Sequence, residues 1–214
     1  MSVRPPGLDF AELSEPRGRD FEALLHLYED AIVARERKSS EALRAMIASP
    51  DYLVVVARRS GELIGFAILM VGPTIALLEY MAVDRLRREG GVGSALYRHC
   101  CDVVLPANLA LLVEIDSDRE ASADQALRTR RKHFYRRLGC RQVVGLDYIL
   151  PLPGSGDPPS MELLVDGAMV GDLAPRATIA GWLGEVYLRA YGCGPDDSRL
   201  RGMIRSLPDE VPLR

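Results

Sequence analysis

The sequence lacks a surplus of positive charge. Its 214 residues contain 27 Lys and Arg against 30 Asp and Glu, so the formal net charge is −3 and the pI is about 5.7. A general nucleic-acid-binding domain is expected to be basic, and this balance argues against that class. Arginine is nevertheless concentrated in two segments, residues 85–88 and 128–141. Small polyanions therefore stay candidate ligands.

The sequence also lacks a redox cysteine motif and long apolar segments. Its four cysteines contain no C-x-x-C pair. A chain of this length can build a core without a disulfide framework, so we expect them to be reduced. No signal-peptide h-region opens the sequence, and no apolar run approaches the roughly 20 residues that span a bilayer. These absences predict a cytoplasmic protein with neither membrane nor nucleic-acid partners.

Metal-ligand patterns and the lysine of a P-loop are missing as well. His26, His99 and His133 lie in segments of helical periodicity, and none has a carboxylate or a second histidine at metal-ligand spacing. The sequence contains no G-x-x-x-x-G-K-[ST] pattern. We therefore predict no metal ion and no P-loop.

What the sequence does contain is enough apolar residues, 48%, for one sizeable domain with an appendage. We expect one main domain over residues 1–166 and a C-terminal helical extension over residues 167–214. Trp182 and Tyr187 mark an apolar face of that extension. This face must cover either the domain's own sheet or a second copy of the chain in a homodimer.

Apolar periodicity in the first 83 residues predicts two helices and four strands. One helix is expected over residues 21–34 behind Asp20 as its N-cap, and a shorter one from Ser39 or Ser40 to a point before Pro50. The last three strands should form an antiparallel meander, with a hairpin turn at residues 58–61. The predicted strands are 8–13, 52–57, 63–71 and 77–83.

The following residues alternate helices and strands. A helix should begin after the glycines at 90–93 and bury Val92, Leu96, Cys100 and Val103, and the strand after it should lie parallel to residues 77–83. A capping box of Ser122 and Gln125 predicts another helix, which ends at Gly139. Its inward residues should be Leu127, Phe134 and Leu138, with its arginines outward. Further strands are expected at 109–115, 142–150 and 161–165, and helices at 177–191 and 197–204.

Residues 77–97 form the segment around which the site is expected to be built. A strand leads there into a turn and then a helix, whose first N–H groups have no intrahelical partner and favour an anion. Glycines at 90, 91 and 93 permit close approach of a pyrophosphate, and Arg87 and Arg88 supply charge. A dinucleotide fingerprint of Gly91, Gly93 and Glu114 is the rival interpretation, but its third glycine is Leu96 and the turn is too long.

The pattern Arg88-x-x-Gly91-x-Gly93 resembles the R/Q-x-x-G-x-G/A signature of the GNAT acyltransferase superfamily. A second segment, residues 134–140, is similar to the FYxxxGF segment of that superfamily, and the likeness covers about residues 8–165. Three positions depart from the family pattern: Glu89 replaces a common glycine, Cys140 replaces Phe, and Arg128 stands where many members place Asn. Glu89 weakens an anion site unless its side chain points to water.

The resemblance implies a GNAT-like α/β (α+β) fold, with a mixed, mostly antiparallel central sheet flanked by helices. It also implies acetyl-coenzyme A as co-substrate. The strand positions Met81, Ala82 and Val83 would align the pantetheine arm. The candidate pyrophosphate contacts are Arg87, Arg88, Glu89, Gly90, Gly91, Val92, Gly93 and Ser94. Arg128 could itself meet a phosphate. Arg131 belongs either to a solvated charged face of its helix or to a contact with the 3′-phosphate of coenzyme A or an acidic acceptor.

Three residues are candidates for the chemistry. The resemblance implies Tyr135 as the acid that protonates the leaving thiolate, with a core tyrosine as the alternative. Glu79 interrupts an apolar strand and is the leading base, because a carboxylate there is costly to bury without a reason. A structural ion pair with an arginine is its alternative. Glu114 could share the base role, orient an amine or simply end its strand.

The reaction that these residues predict is transfer of an acetyl group from acetyl-coenzyme A to a primary amine of a small molecule or protein, by direct attack. Two alternatives stay open from the sequence. One is a non-catalytic module that binds coenzyme A as a sensor. The other is an acyltransferase that uses a longer acyl chain or an oxygen nucleophile.

Overall fold

The computed structural model describes residues 5–88, 90–119, 121–151, 160–166 and 171–214. Glu89 and most of the predicted loop between the last two strands, residues 152–159, lie outside these ranges. The predicted boundary at residues 166 and 167 adjoins another such segment, so the division into a domain and an extension stays a prediction.

The secondary structure follows the alternation that the sequence predicts. The strands are β1 (Leu8–Glu12), β2 (Tyr52–Arg59), β3 (Glu62–Val71), β4 (Ile75–Val83), β5 (Ala110–Asp116), β6 (Cys140–Gln142), β7 (Met161–Asp166), β8 (Leu173–Pro175) and β9 (Glu210–Pro212). The helices are α1 (Arg19–Ala31), α2 (Ser40–Ala48), α3 (Val92–Val104), α4 (Gln125–Arg137), α5 (Arg176–Tyr191) and α6 (Ser198–Ser206).

The central sheet has seven strands in the order β1-β2-β3-β4-β5-β7-β6. The pairs β1/β2, β2/β3, β5/β7 and β6/β7 are antiparallel. Strands β8 and β9 form a separate antiparallel pair. The predicted mixed α/β fold with a mostly antiparallel central sheet is therefore confirmed.

The chain divides into two compact units, residues 1–71 with 78–106 and residues 72–77 with 107–214. In the first unit α1 and α2 bury their apolar faces in one cluster with β2 and β3. Phe21, Leu24 and Tyr28 of α1 are buried, as the helical spacing predicts. The predicted N-cap is wrong, because α1 begins at Arg19 and Asp20 instead forms an ion pair with Arg58 at 2.7 Å.

In the second unit the C-terminal helix α5 packs on residues of its own unit. It buries the predicted face, which includes Trp182 and Tyr187. The Tyr187 hydroxyl donates a hydrogen bond to the Ile149 carbonyl at 2.5 Å. Glu185 Oε2 accepts a hydrogen bond from Thr74 Oγ1, also at 2.5 Å. These contacts of α5 lie within its own chain, and the homodimer stays a prediction.

Helix α4 departs most from the sequence prediction. It begins at Gln125 after Asp124, and Ser122 Oγ donates to Asp124 Oδ1 instead of capping the helix backbone. The predicted inward residue Leu127 is exposed. The side chains of Arg128, Lys132 and Tyr135 are 16%, 13% and 7% exposed. The buried face of α4 is therefore polar, and an apolar pattern could not reveal it.

The polar face of α4 is neutralised by carboxylates. Lys132 Nζ lies 2.8 Å from Glu162 Oε2 and 3.0 Å from Asp118 Oδ1, and Glu162 on β7 is almost fully buried. Removing one member would leave a buried charge without its partner. This network joins α4, β7 and the loop that follows β5.

Two further predictions are corrected. The predicted strand 142–150 is wrong, since the strand observed here is Cys140–Gln142. The backbone after it pairs with residues 212–214 instead: Val144 N–H donates to the Pro212 carbonyl at 2.9 Å. Val103 is 45% exposed, so the buried face of α3 turns toward Val104. The four cysteines are free thiols. In the part of the chain that the structure describes, the helices are too short or too polar to cross a membrane.

Replacement of glycine by alanine should have opposite effects on stability at two positions of the second unit. A methyl group at Gly72 would overlap the Glu185 carboxylate that binds Thr74, whereas one at exposed Gly181, inside α5, meets open space. We expect Gly72→Ala to lower the free energy of unfolding by about 1–3 kcal/mol. Gly181→Ala should raise it by roughly 0.5–1 kcal/mol. Urea unfolding of both variants measures this, and equal effects would contradict the packing.

Candidate active site

The turn after β4 is a compact structure of the first unit. Asp84 Oδ1 accepts a hydrogen bond from Leu86 N–H at 2.8 Å, which starts a single 3-10 turn at Arg85–Arg87. Arg87 Nη2 lies 3.3 Å from Glu62 Oε2, and Arg88 Nε donates to the Val83 carbonyl at 3.3 Å. Both arginine side chains are exposed and close to the glycines that follow in sequence.

The glycine turn leaves the N-terminus of α3 open. Gly90 and Gly91 have φ values of 80° and 75°, which side-chain-bearing residues rarely adopt. A Cβ atom at either would meet no atom within 4 Å. Helix α3 begins at Val92 with no side-chain cap from the described residues and no acidic residue in its first turn. Its first N–H groups and its dipole are therefore available to an anion.

Glu79 lies on β4 before this turn and has two polar partners within the first unit. Tyr52 Oη donates to Glu79 Oε1 at 3.0 Å, and Lys38 Nζ lies 3.7 Å from Glu79 Oε2. The Glu79 side chain is 10% exposed. Burial raises the pKa of Glu79, while the Lys38 charge and the Tyr52 hydrogen bond lower it. Its ion-pair partner is a lysine, whereas the sequence-based alternative expected an arginine.

The segment that carries Lys38 is fastened to two other elements. The Tyr80 hydroxyl, on β4, donates to the Glu36 carbonyl at 3.1 Å. The Lys38 N–H donates to the hydroxyl of the buried Tyr28, on α1, at 2.9 Å. Burial raises the pKa of the Tyr80 hydroxyl far above its ordinary value, so it stays a neutral donor. These bonds define the backbone position from which Lys38 reaches Glu79.

Glu114, in the second unit, accepts hydrogen bonds from two tyrosines. The Tyr148 hydroxyl donates to Oε1, and the Tyr191 hydroxyl donates to Oε2 at 2.7 Å. Burial, and next the Glu114 charge, raise the pKa of Tyr148 well above its ordinary value. Neither tyrosine was predicted from the sequence. Glu114 itself indicated that such partners exist, because a carboxylate inside an apolar strand needs hydrogen-bond donors.

The remaining predicted residues of the second unit are on or beside α4. Tyr135 is 7% exposed, and its ring makes an edge contact with Phe134 at 5.1 Å. Arg128 Nη1 donates to the Ser117 carbonyl at 3.2 Å. Arg131 Nη1 forms an ion pair with Asp116 at 2.9 Å. The roles of these three side chains toward a cofactor remain predictions.

The three histidines lie on helices α1, α3 and α4, as the apolar periodicity predicts. His99 stacks on Phe10 at 4.7 Å, and His133 lines an open cavity of about 310 Å³ with Arg136 and Arg137. Among the described residues, no group of three His, Cys, Asp or Glu side chains is arranged to hold a metal ion.

Comparison with solved structures gives the fold. A protein from Bacteroides thetaiotaomicron assigned to the GNAT acetyltransferase family is 20% identical, with a TM-score of 0.70 over 86% of this chain and 98% of that one. The ribosomal-protein-S18-alanine N-acetyltransferase of Escherichia coli is 21% identical, with a TM-score of 0.55 over 77% and 97%. An aminoglycoside 6'-N-acetyltransferase complexed with coenzyme A is 20% identical, with a TM-score of 0.56 over 73% and 95%.

Two comparisons concern the sequence itself. The search of curated proteins finds no match. The model of the acetyltransferase (GNAT) domain family matches residues 50–141, the stretch that runs from β2 through the glycine turn to β6. The two motifs on which the resemblance rested, residues 88–93 and 134–140, both fall inside this match. Residues 50–141 thus match the GNAT acetyltransferase domain family, and the fold is similar to that of GNAT acetyltransferases.

Proposed function

We propose that this protein transfers the acetyl group of acetyl-coenzyme A to a primary amine of a small molecule or protein. The observation that supports this most is the open N-terminus of α3, which follows two left-handed glycines at the end of β4 and lies inside the GNAT domain match. Two of the similar structures are enzymes named as N-acetyltransferases, one of them complexed with coenzyme A, which favours nitrogen as the nucleophile.

In this proposal the pyrophosphate of acetyl-coenzyme A binds the first turn of α3. The backbone N–H groups of Val92, Gly93 and Ser94 lack intrahelical acceptors and donate to its oxygens. Arg87 and Arg88 are exposed beside the turn and add positive charge. The backbone at residues 81–83 aligns the pantetheine arm. Glu89 belongs to this proposed site on the sequence pattern alone.

Two arginines of α4 complete the proposed binding residues. Arg128 and Arg131 contact phosphate oxygens of the cofactor. Each forms an ion pair with a carboxylate, Arg128 with Asp124 and Arg131 with Asp116. A phosphate therefore replaces a carboxylate as the partner of each guanidinium, an exchange that suits its planar donor geometry.

The proposed chemistry is direct attack of the amine on the thioester. An amine with a pKa of about 10.4 is mostly ammonium at neutral pH, so a base must take a proton. Glu79 takes that role, since burial raises its pKa toward neutrality. The new C–N bond forms as the C–S bond breaks. Tyr135 protonates the thiolate, and the second proton lost by the nitrogen returns to Tyr135. Glu114, positioned by Tyr148 and Tyr191, orients the acceptor.

A coenzyme A sensor is the second candidate function, and one observation favours it. Glu79 is already neutralised by Lys38 and hydrogen-bonded by Tyr52, as expected for a structural ion pair. In a sensor the α3 site binds coenzyme A with no turnover. The following experiments distinguish the two functions.

The pyrophosphate site predicts that two substitutions abolish binding of coenzyme A. Gly91→Val places a side chain on a left-handed residue at the helix start, and Arg88→Glu reverses a charge beside it. Neither variant should show a thermal shift with coenzyme A relative to its own unliganded form. Gly61→Val is the matched control. Gly61 also has a left-handed φ, 81°, but it lies in the β2–β3 hairpin and not at the start of α3. An undiminished shift in the Gly91 and Arg88 variants would contradict the site.

The proposed acid predicts a loss of turnover without a loss of binding. Tyr135→Phe removes only the hydroxyl, so the thermal shift with coenzyme A should persist. Release of the coenzyme A thiol in the presence of a broad amine panel should fall by about 10²-fold, the usual contribution of a positioned acid. Unchanged turnover would exclude Tyr135 as the acid. An absence of turnover in the wild-type protein would favour the sensor.

The proposed base predicts the direction in which a pH profile moves. Glu79 acts as a base only when ionised, so kcat/KM should rise with pH through its pKa. The Lys38 cation favours the ionised form and lowers that pKa. Lys38→Met should therefore move the acidic limb to higher pH, while Lys38→Arg retains the charge and leaves the limb in place. If the limb stays unmoved in the Met variant, Glu79 is not the titrating group.

A further inference from the structure

Lysine is rare in this chain, and one of its two lysines faces the proposed base. The sequence has 27 Lys and Arg, of which only Lys38 and Lys132 are lysines. An arginine guanidinium stays protonated in proteins, whereas a lysine amine can lose its proton and act as a nucleophile. Lys38 Nζ lies 3.7 Å from Glu79 Oε2, with 34% of its side chain exposed. It is thus an amine next to the group proposed to deprotonate amines.

The backbone holds Lys38 at this place. Its own N–H is bonded to the hydroxyl of buried Tyr28, and two residues earlier the Glu36 carbonyl accepts from Tyr80. Tyr80 is the neighbour of Glu79 on β4. The segment is therefore fixed to the strand that carries the proposed base, and an ordinary surface lysine would have no such attachment.

The same strand leads to the proposed cofactor site. Side chains alternate along a strand, so Glu79 shares a face of β4 with Met81 and Val83, after which the turn toward Gly91 begins. Four residues of strand span about 13 Å, so Glu79 lies about that far from the end of β4. An acyl-pantetheine arm that runs from the turn back along residues 81–83 extends its thioester toward Glu79 and Lys38.

We propose that Lys38 Nζ is itself an acetyl acceptor, so that the protein acetylates its own side chain. This inference rests on the proposed function, because it uses the same cofactor site and the same base. Glu79 takes one proton from the Lys38 ammonium. The freed electron pair attacks the thioester carbonyl, the C–N bond forms and the C–S bond breaks. The second proton lost by the nitrogen is taken up by the thiolate, which leaves as the coenzyme A thiol.

The product is a neutral amide, and its formation changes the site. The lysine charge that faces Glu79 disappears, so the acetylated protein should behave as the Lys38→Met variant does in its pH profile. Self-acetylation thereby removes the positive charge beside Glu79, the carboxylate on which acetylation of external amines depends. The proposed consequence is regulation of the enzyme by its own co-substrate.

Lys132 provides an internal control within the same chain. Its side chain is 13% exposed and lies between Asp118 and Glu162, both within 3.0 Å. A lysine held by two carboxylates and largely shielded from solvent is a poor acceptor. Only Lys38 is therefore expected to react among the side-chain amines.

The experiment incubates the full chain, shown by intact mass to be unacetylated, with acetyl-coenzyme A and no added amine. Peptide mass spectrometry should then find one acetyl group on Lys38 and none on Lys132, at a rate constant independent of protein concentration. Lys38→Arg should abolish labelling, and Lys132→Arg should leave it unchanged. Glu79→Gln should slow it by about 10²-fold, as loss of a general base does. Each variant is first checked for its melting temperature and its thermal shift with coenzyme A.

The outcomes separate this inference from the function on which it rests. Labelling of both lysines at similar rates, or equal rates in wild type and Glu79→Gln, identifies unassisted chemical acetylation and overturns the inference. An unlabelled Lys38 in a protein that acetylates external amines overturns the inference and leaves the function intact. An absence of both labelling and amine turnover overturns both.

Discussion

The open N-terminus of α3 is the feature on which the proposed chemistry depends. A helix start without a side-chain cap leaves polar N–H groups with no protein acceptor, an arrangement that is costly unless water or an anion supplies one. Here the backbone reaches that state through Gly90 and Gly91, whose left-handed conformation turns the chain from β4 into the helix. In the proposed function the turn binds an anion because its first helical N–H groups lack a backbone acceptor.

Two partly buried carboxylates, one in each unit, follow one physical rule. Glu79 on β4 accepts from Tyr52, and Glu114 on β5 accepts from Tyr148 and Tyr191. Tyrosine hydroxyls stabilise a carboxylate without neutralising its charge, so each group keeps the ability to receive a proton or a cation. Lys38 adds a formal positive charge at Glu79. Glu79 therefore has an internal amine partner, which is the proposed acceptor of self-acetylation.

The sequence was sufficient to predict the sheet, most helices and the glycine turn, because these depend on apolar periodicity and on backbone constraints. It was insufficient where polar side chains are buried. The inward face of α4 carries Arg128, which pairs with Asp124 one turn earlier, and Lys132, which pairs with the distant Glu162; an apolar pattern therefore selected Leu127 incorrectly. The partners of Glu114 are distant in sequence for the same reason. Tertiary hydrogen bonds leave no periodic signal in the chain.

The central claim is that α3 offers its first N–H groups to the pyrophosphate of acetyl-coenzyme A. Titration of the ¹⁵N-labelled protein with coenzyme A, followed by NMR of backbone amides, tests this directly. The account predicts the largest chemical-shift changes at Val92, Gly93 and Ser94. Saturable binding that leaves these three amides unshifted, with the changes located elsewhere, would contradict it.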